Sequence, residues 1–155
     1  MLRSQTAFEG VDHIGITVAD LDRSIAFWER MLGEAGHDRR LLDGPRLAAL
    51  LGYPTARIDS YWFDLPGGIA LELLQYLEPL EPGNDPGTAR PGNVHVCLQV
   101  LDIQAARAQA VAAGATPVSP EPIDILRGPR AGSKMMCIRD PDGVTIELFT
   151  PRATT

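Results

Sequence analysis

The amino-acid sequence contains two similar stretches that carry a histidine at the same place. Residues 11–21 read VDHIGITVADL and residues 93–103 read NVHVCLQVLDI, so His95 follows His13 by 82 positions (95 − 13). After each histidine, branched aliphatic residues alternate with other residues, which is the period of a half-buried β-strand. A repeat of this kind indicates that the chain duplicates one structural unit.

A second pair of stretches repeats with a glutamate in register. Residues 65–73 read LPGGIALEL and residues 140–148 read DPDGVTIEL, so Glu147 follows Glu72 by 75 positions (147 − 72). Each stretch begins with a proline-containing turn whose next residues suit a tight hairpin. Each copy therefore reads as a strand, a helix and then two or three strands, which together predict an α+β module.

The repeat also predicts the domain organisation. The whole chain, residues 1–155, is expected to form one domain that consists of two modules, at about residues 8–77 and 92–151. Residues 78–91 lie between the copies and are crowded with Glu, Pro, Gly and Asp. These residue types punctuate regular structure, so this segment is predicted to be the linker.

The composition of the chain argues against several classes of protein. The formal net charge is −6, from 14 basic and 20 acidic residues, which speaks against a nucleic-acid partner. The sequence shows neither an apolar run of the roughly 20 residues that span a bilayer nor the apolar core of a secretion signal. A cytoplasmic protein without a membrane partner is therefore predicted. Cys97 and Cys137 lie in strand-like apolar runs and are predicted to be reduced core thiols.

The repeated histidines and glutamates predict a metal site. A carboxylate among strand aliphatics is costly to bury without a partner, and a cation removes that cost. If the aliphatics pack under the helices, His13, Glu72, His95 and Glu147 converge on the concave side of the sheet. Two imidazoles and two carboxylates suit one divalent Zn, Ni, Co, Mn or Fe ion rather than Ca²⁺. No other cofactor is predicted.

These stretches, and above all residues 139–148 (RDPDGVTIEL), resemble the vicinal oxygen chelate superfamily over nearly the whole chain. The superfamily includes glyoxalase I, methylmalonyl-CoA epimerase, extradiol dioxygenases and bleomycin-binding proteins. The resemblance implies paired βαβββ modules that curl into a mostly antiparallel sheet around a metal, often at an interface between two subunits. It therefore also implies a homodimer. It further implies that the four repeated residues, from the first and fourth strands of each module, are the metal ligands.

The number of ligands favours one branch of the superfamily. Four protein ligands leave two positions of an octahedral shell, enough for a small substrate that chelates through adjacent oxygens, whereas an extradiol dioxygenase needs three. The set is closest to glyoxalase I and methylmalonyl-CoA epimerase. It predicts a metal-dependent isomerase, epimerase or lyase in which Glu72 and Glu147 transfer a proton next to a carbonyl, through an enediolate or enolate held at the metal. The alternatives are an Fe²⁺ dioxygenase, with one glutamate off the metal, and a small-molecule-sequestering resistance protein.

The sequence gives fewer indications of how the rest of the substrate is recognised. Arg127, Arg130 and Lys134 cluster before the penultimate predicted strand. They suit a carboxylate, a phosphate or a coenzyme A tail, and they equally suit solvated loop charges. The neighbouring Tyr61 and Trp62 are predicted to belong to the core or to the wall of a pocket.

Overall fold

The computed structural model describes residue 7, residues 9–83 and residues 85–153. The described residues form two compact units, one made of residues up to Leu21 and Ala35–Pro79, the other of Asp22–Glu34 and residues from Leu80 onward. In chain order the elements are β1 (His13–Thr17), α1 (Leu21–Leu32), β2 (His37–Asp43), α2 (Pro45–Leu51), β3 (Arg57–Leu65), β4 (Ile69–Glu78), β5 (Val96–Gln99), α3 (Ile103–Ala113), β6 (Thr116–Pro117), β7 (Ile123–Asp124), β8 (Lys134–Arg139) and β9 (Thr145–Thr150).

The first unit is built on a four-stranded sheet in the order β1-β4-β3-β2. β1 runs parallel to β4, and the other neighbours are antiparallel. Gly67 and Gly68 have φ angles of 101° and 85° in the turn between β3 and β4, so the predicted tight hairpin is confirmed. Leu71 and Leu73 of β4 are fully buried. Because strand side chains alternate between faces, Glu72 lies on the opposite face from this core.

The second unit contains a sheet in the order β5-β9-β8-β6, with β7 also paired to β8. Here β5 runs parallel to β9, and the remaining pairs are antiparallel. Ile146 and Leu148 of β9 are buried, so Glu147 between them belongs to the other face. The strand pair that carries the glutamate is thus built alike in both units.

The ends of the helices follow the expected sequence signals. Asp102 caps α3, since its carboxylate accepts hydrogen bonds from the backbone N–H groups of Gln104 and Ala105. Gly114, with a φ of 113°, ends the same helix in the left-handed conformation. Gly33 has a φ of 78° after α1 and donates its N–H to the carbonyl of Glu29.

Most of α1 belongs to the second compact unit, although the repeat assigns this helix to the first copy. Within the second unit, Arg23 donates to Asp142 Oδ1 at 2.5 Å and the Ser24 hydroxyl donates to Asp142 Oδ2 at 3.1 Å. Ser24 is fully buried. The turn before β9 is therefore held to α1 by a charged network. The predicted module boundaries, residues 8–77 and 92–151, stay a prediction.

Replacing Asp142 with alanine is expected to lower the free energy of unfolding by about 1–2 kcal/mol, because it removes a charge-assisted hydrogen bond and a bond from a buried hydroxyl. The matched control is Asp124→Ala, which breaks the ion pair with Lys134 between two half-exposed side chains and is expected to cost less than about 0.5 kcal/mol. Urea unfolding of both variants measures the difference. Equal costs would contradict a stabilising role for the Asp142 network.

The predicted α+β class is confirmed, with one difference in the sheet. The strands expected around His13, Glu72, His95 and Glu147 all form, although His95 lies just before β5. Most neighbouring strands are antiparallel, as predicted, but they form two open sheets rather than one, and each sheet contains one parallel pair. β2 and the short helix α2 were not specifically predicted, because β2 (HDRRLLD) is mostly exposed and lacks an alternating apolar pattern. No helix within the described ranges is long and apolar enough to span a membrane.

Candidate metal centre

The first candidate pair is His13 with Glu72. His13 begins β1, and Glu72 lies in the middle of the parallel neighbour β4, directly opposite Gly15. Because Gly15 has no side chain, the imidazole and the carboxylate meet across it, with His13 Nε2 and Glu72 Oε2 separated by 3.8 Å. The Glu72 side chain is 13% exposed and the His13 side chain 41%. The carboxylate is therefore mostly shielded from water, whereas the histidine remains open to a ligand.

The surroundings of this pair orient the histidine. His13 Nδ1 lies 2.7 Å from Asp12 Oδ2, so a proton on Nδ1 is donated to that carboxylate and Nε2 is left as an acceptor on the Glu72 side. A carboxylate behind the imidazole is a common arrangement for a metal-binding histidine. Trp62, the neighbour of Glu72 on β3, packs edge-on against the His13 ring at 5.2 Å between centroids. Tyr61 and Trp62 are both only partly buried, so they do not belong to the fully buried core.

Burial raises the pKa of Glu72 above its usual range, while the nearby His13 acts in the opposite direction. The physical cause is the loss of water around a carboxylate whose side chain is only 13% exposed. A cation at this place would favour the ionised form of the carboxylate.

The second candidate pair, His95 with Glu147, repeats this geometry. His95 stands immediately before β5, and Glu147 lies on the parallel neighbour β9. His95 Nε2 and Glu147 Oε2 are again 3.8 Å apart, and the Glu147 side chain is again 13% exposed. The similarity between the two copies therefore includes the distance between the histidine nitrogen and the glutamate oxygen.

Both pairs have a separation compatible with binding one cation. Ligand atoms with bonds of roughly 2.0–2.2 Å to one ion lie at most about 4.2 Å apart, and each pair places its nitrogen and oxygen 3.8 Å apart. Each pair supplies only two donors. Within the described part of the chain, no group of three or more His, Cys, Asp or Glu side chains is arranged to hold a metal ion. Two donors are fewer than the three or four protein ligands that zinc sites in proteins use.

Cys97 is a residue that the sequence prediction misplaced. It was predicted to be a core thiol, but it is exposed and its Sγ donates to Glu147 Oε1 at 3.2 Å. The prediction was wrong because Cys97 lies opposite Glu147 in the β5–β9 register and so shares the polar face of the sheet. Although the residue as a whole is exposed, partial loss of water around the thiol and the neighbouring Glu147 carboxylate raise the pKa of Cys97 to about 11. Cys137, also predicted to lie in the core, is only partly buried.

Two residues of the predicted cationic cluster of Arg127, Arg130 and Lys134 have different partners. Lys134 forms an ion pair with Asp124, with Nζ 2.6 Å from Oδ1. The Arg130 guanidinium stacks over the ring of Phe149, 4.9 Å from its centroid. Phe149 follows Glu147 by two positions on β9 and therefore shares its face. Arg130 is thus the member of the cluster that is held beside the polar face of β9.

Comparison with known proteins identifies the family. Residues 12–126 match the model of the Glyoxalase/Bleomycin resistance protein/Dioxygenase superfamily. The chain belongs to this superfamily. The family resemblance expected from the repeated histidine and glutamate stretches is thereby confirmed.

A curated relative and several solved structures agree with the superfamily. A 2-epi-5-epi-valiolone epimerase from Actinomyces sp is 30% identical over 150 residues, which cover 90% of this chain and 78% of the relative. A glyoxalase family protein from Bacillus cereus matches with a TM-score of 0.81 at 20% identity, over 98% of this chain and all of that one. A superfamily domain from Frankia sp. EAN1pec matches with a TM-score of 0.62 at 22% identity, over 96% of each chain. At these identities the two structures show the superfamily fold alone.

Proposed function

We propose that this superfamily member is a divalent-metal-dependent epimerase or isomerase that moves a proton at the carbon next to a carbonyl. The superfamily and the epimerase relative support an enzyme with a general isomerase or epimerase role. The observation that carries the finer proposal is the pair of matching donor sets, each with a histidine nitrogen and a glutamate oxygen 3.8 Å apart.

His13, Glu72, His95 and Glu147 would together hold one ion. Two imidazoles and two carboxylates form a donor set that Zn²⁺, Ni²⁺, Co²⁺, Mn²⁺ and Fe²⁺ all accept, so the metal remains to be measured. When bound, the ion would supply Lewis-acid chemistry, which polarises the carbonyl and makes the neighbouring C–H more acidic. Asp12 orients the His13 imidazole through the hydrogen bond to Nδ1.

The proton would be moved by the two glutamates. Burial raises the pKa of Glu72, and a carboxylate that has lost water is a stronger base than a solvated one. Glu72 or Glu147 would accept the proton from one face of the carbon, and epimerisation requires that the other glutamate return a proton to the opposite face. Trp62 beside His13 excludes water from one side of the first pair.

The proposed substrate is a small molecule that carries a carbonyl and an adjacent oxygen. The relative is named as an epimerase for 2-epi-5-epi-valiolone, a name whose ending denotes a ketone. Ketones with a hydroxyl group on the neighbouring carbon are therefore the first substrates to test, followed by 2-oxoaldehyde hemithioacetals and acyl-CoA thioesters.

The test is deuterium exchange with defined metal content. The protein is stripped with a chelator, reloaded separately with each of the five metals, and incubated with the substrate panel in D₂O while NMR follows the proton next to the carbonyl. We expect exchange that requires metal, with epimer formation for the correct substrate. A protein that binds none of the five metals would reject the proposal. Oxygen consumption by the Fe²⁺-loaded protein with catechols, without exchange, would favour the dioxygenase alternative.

We also propose that the protein is a homodimer in the cytoplasm, as the sequence predicts. Several large apolar side chains of the second unit, among them Leu80, Leu101 and Leu126, are more than four-fifths exposed, and exposed apolar surface often marks an interface. Light scattering should then give twice the 16.8 kDa mass of one chain.

A further inference from the structure

The two copies differ at the residue that faces each glutamate. Positions 15 and 97 correspond under the offset of 82, yet one holds glycine and the other cysteine. Gly15 lies opposite Glu72 in the β1–β4 pair, and Cys97 lies opposite Glu147 in the β5–β9 pair. The repeat therefore places a hydrogen-bond donor beside Glu147 and none at the matching place beside Glu72.

Both oxygens of the Glu147 carboxylate face a partner. Oε1 accepts a hydrogen bond from Cys97 Sγ at 3.2 Å, and Oε2 lies 3.8 Å from His95 Nε2. The hydrogen bond from Cys97 holds Oε1 and so restricts the rotation of the carboxylate about its last bond. Glu147 is thus held with Oε2 on the side of the histidine.

Glu72 lacks this second contact. Its Oε2 lies 3.8 Å from His13 Nε2, and within the described ranges no side chain donates a hydrogen bond to the other oxygen. Gly15, opposite Glu72, has no side chain that could donate, and an added Cβ there would come within 3.3 Å of the Leu74 side chain. Within the described residues, no side-chain donor therefore restricts the rotation of the Glu72 carboxylate as Cys97 restricts that of Glu147.

We propose that Cys97 is a positioning residue that holds Glu147 as a fixed metal ligand, and that Glu72 is consequently the carboxylate that carries most of the proton transfer. This inference rests on the proposed function and assigns unequal roles to two glutamates that the repeat makes look equivalent. Side chains that orient a metal ligand through a hydrogen bond typically contribute 10- to 100-fold to metal affinity or activity.

The test compares three replacements at Cys97 with one matched control. Cys97→Ala removes the donor, Cys97→Gly reproduces the first copy, and Cys97→Ser keeps a hydroxyl donor. The control is Cys137→Ala, since Cys137 lies opposite Glu147 on the other neighbouring strand, β8, and no hydrogen bond joins it to the carboxylate within the described residues. Zn²⁺ and Co²⁺ affinities are measured by chelator competition, together with kcat, KM and the thermal unfolding of each variant.

We expect Cys97→Ala and Cys97→Gly to weaken Zn²⁺ and Co²⁺ binding about tenfold or more and to lower kcat with little change in KM. Cys97→Ser should stay within about threefold of the wild type because it retains a donor. Cys137→Ala should match the wild type. Recovery in the serine variant separates a hydrogen-bonding role from a purely packing role, which serine and alanine would disturb alike.

Wild-type metal affinity in both Cys97→Ala and Cys97→Gly would overturn the inference while leaving the proposed function intact, as would equal losses in the serine and alanine variants. A wild-type protein that binds none of Zn²⁺, Ni²⁺, Co²⁺, Mn²⁺ and Fe²⁺ would instead reject the proposed function, and the inference with it. The two failures are therefore distinguished by the wild-type measurement alone.

Discussion

Glu72→Gln is expected to slow deuterium exchange next to the substrate carbonyl by about a thousandfold, because an amide cannot accept the proton and general-base catalysis typically contributes 10²- to 10⁴-fold. The affinity for Zn²⁺ should fall much less, since the inferred fixed ligand, Glu147 with its hydrogen bond from Cys97, is unchanged in this variant. Glu147→Gln is expected to show the reverse balance, with the larger loss in metal affinity. The measurements are NMR exchange in D₂O and chelator competition on the same samples.

The control for this comparison is Glu34→Gln, which makes the same chemical change at an exposed position outside both pairs. It should leave exchange and metal affinity unchanged. If Glu72→Gln exchanged at the wild-type rate, Glu72 would have no part in proton transfer. If Glu72→Gln and Glu147→Gln lost exchange and metal affinity in equal proportion, the unequal roles inferred from Cys97 would be wrong.

Replacing either His13 or His95 with alanine is expected to weaken divalent-metal binding at least about a hundredfold, because even the partners behind a ligand contribute 10- to 100-fold. The wild type should bind one ion per chain if both pairs serve the same ion. His37→Ala is the matched control, since His37 is a half-exposed histidine 3.4 Å from Asp64 and outside the proposed site. Calorimetric titration with Zn²⁺ gives both the affinity and the stoichiometry.

Two ions per wild-type chain, with one lost in each variant, would contradict a shared centre.

The same two variants also test the proposed homodimer. After subunit exchange, a mixture of His13→Ala and His95→Ala regains activity when one site draws its pairs from two copies, since one of the two sites then contains no replaced residue. A mixture that stays inactive assigns both pairs of each site to one chain.

Much of the fold was predictable because the signals are local. Alternation after His13 and around Glu72 predicted strands that the structure contains. Asp102 and Gly114, at the two ends of α3, are residue types that are typical of helix ends. The two-residue period also predicted that each glutamate side chain lies on the opposite face of its strand from the buried leucine or isoleucine side chains next to it in the sequence. The candidate site residues were found for a different reason. Only their recurrence at matching positions in the two copies of the repeat distinguished them from ordinary strand histidines and glutamates.

Other features depend on contacts that local signals do not contain. β2 forms from charged and mostly exposed residues because it pairs with β3, so its own sequence carries little strand pattern. The network of Asp142 with Arg23 and Ser24 joins residues that are more than a hundred positions apart. Cys97 was placed in the core by its apolar neighbours, whereas its partner across the sheet decides its role.

The amino-acid sequence by itself determined the duplicated α+β plan, the family and the four residues His13, Glu72, His95 and Glu147 as candidates for one site. Only the tertiary structure decided that the nitrogen and oxygen of each pair stand 3.8 Å apart, that Asp12 lies behind His13, and that Cys97 donates to Glu147. The physical reason is that alternation assigns a side chain to a face of a strand, whereas its neighbour across the sheet is set by the register between distant segments.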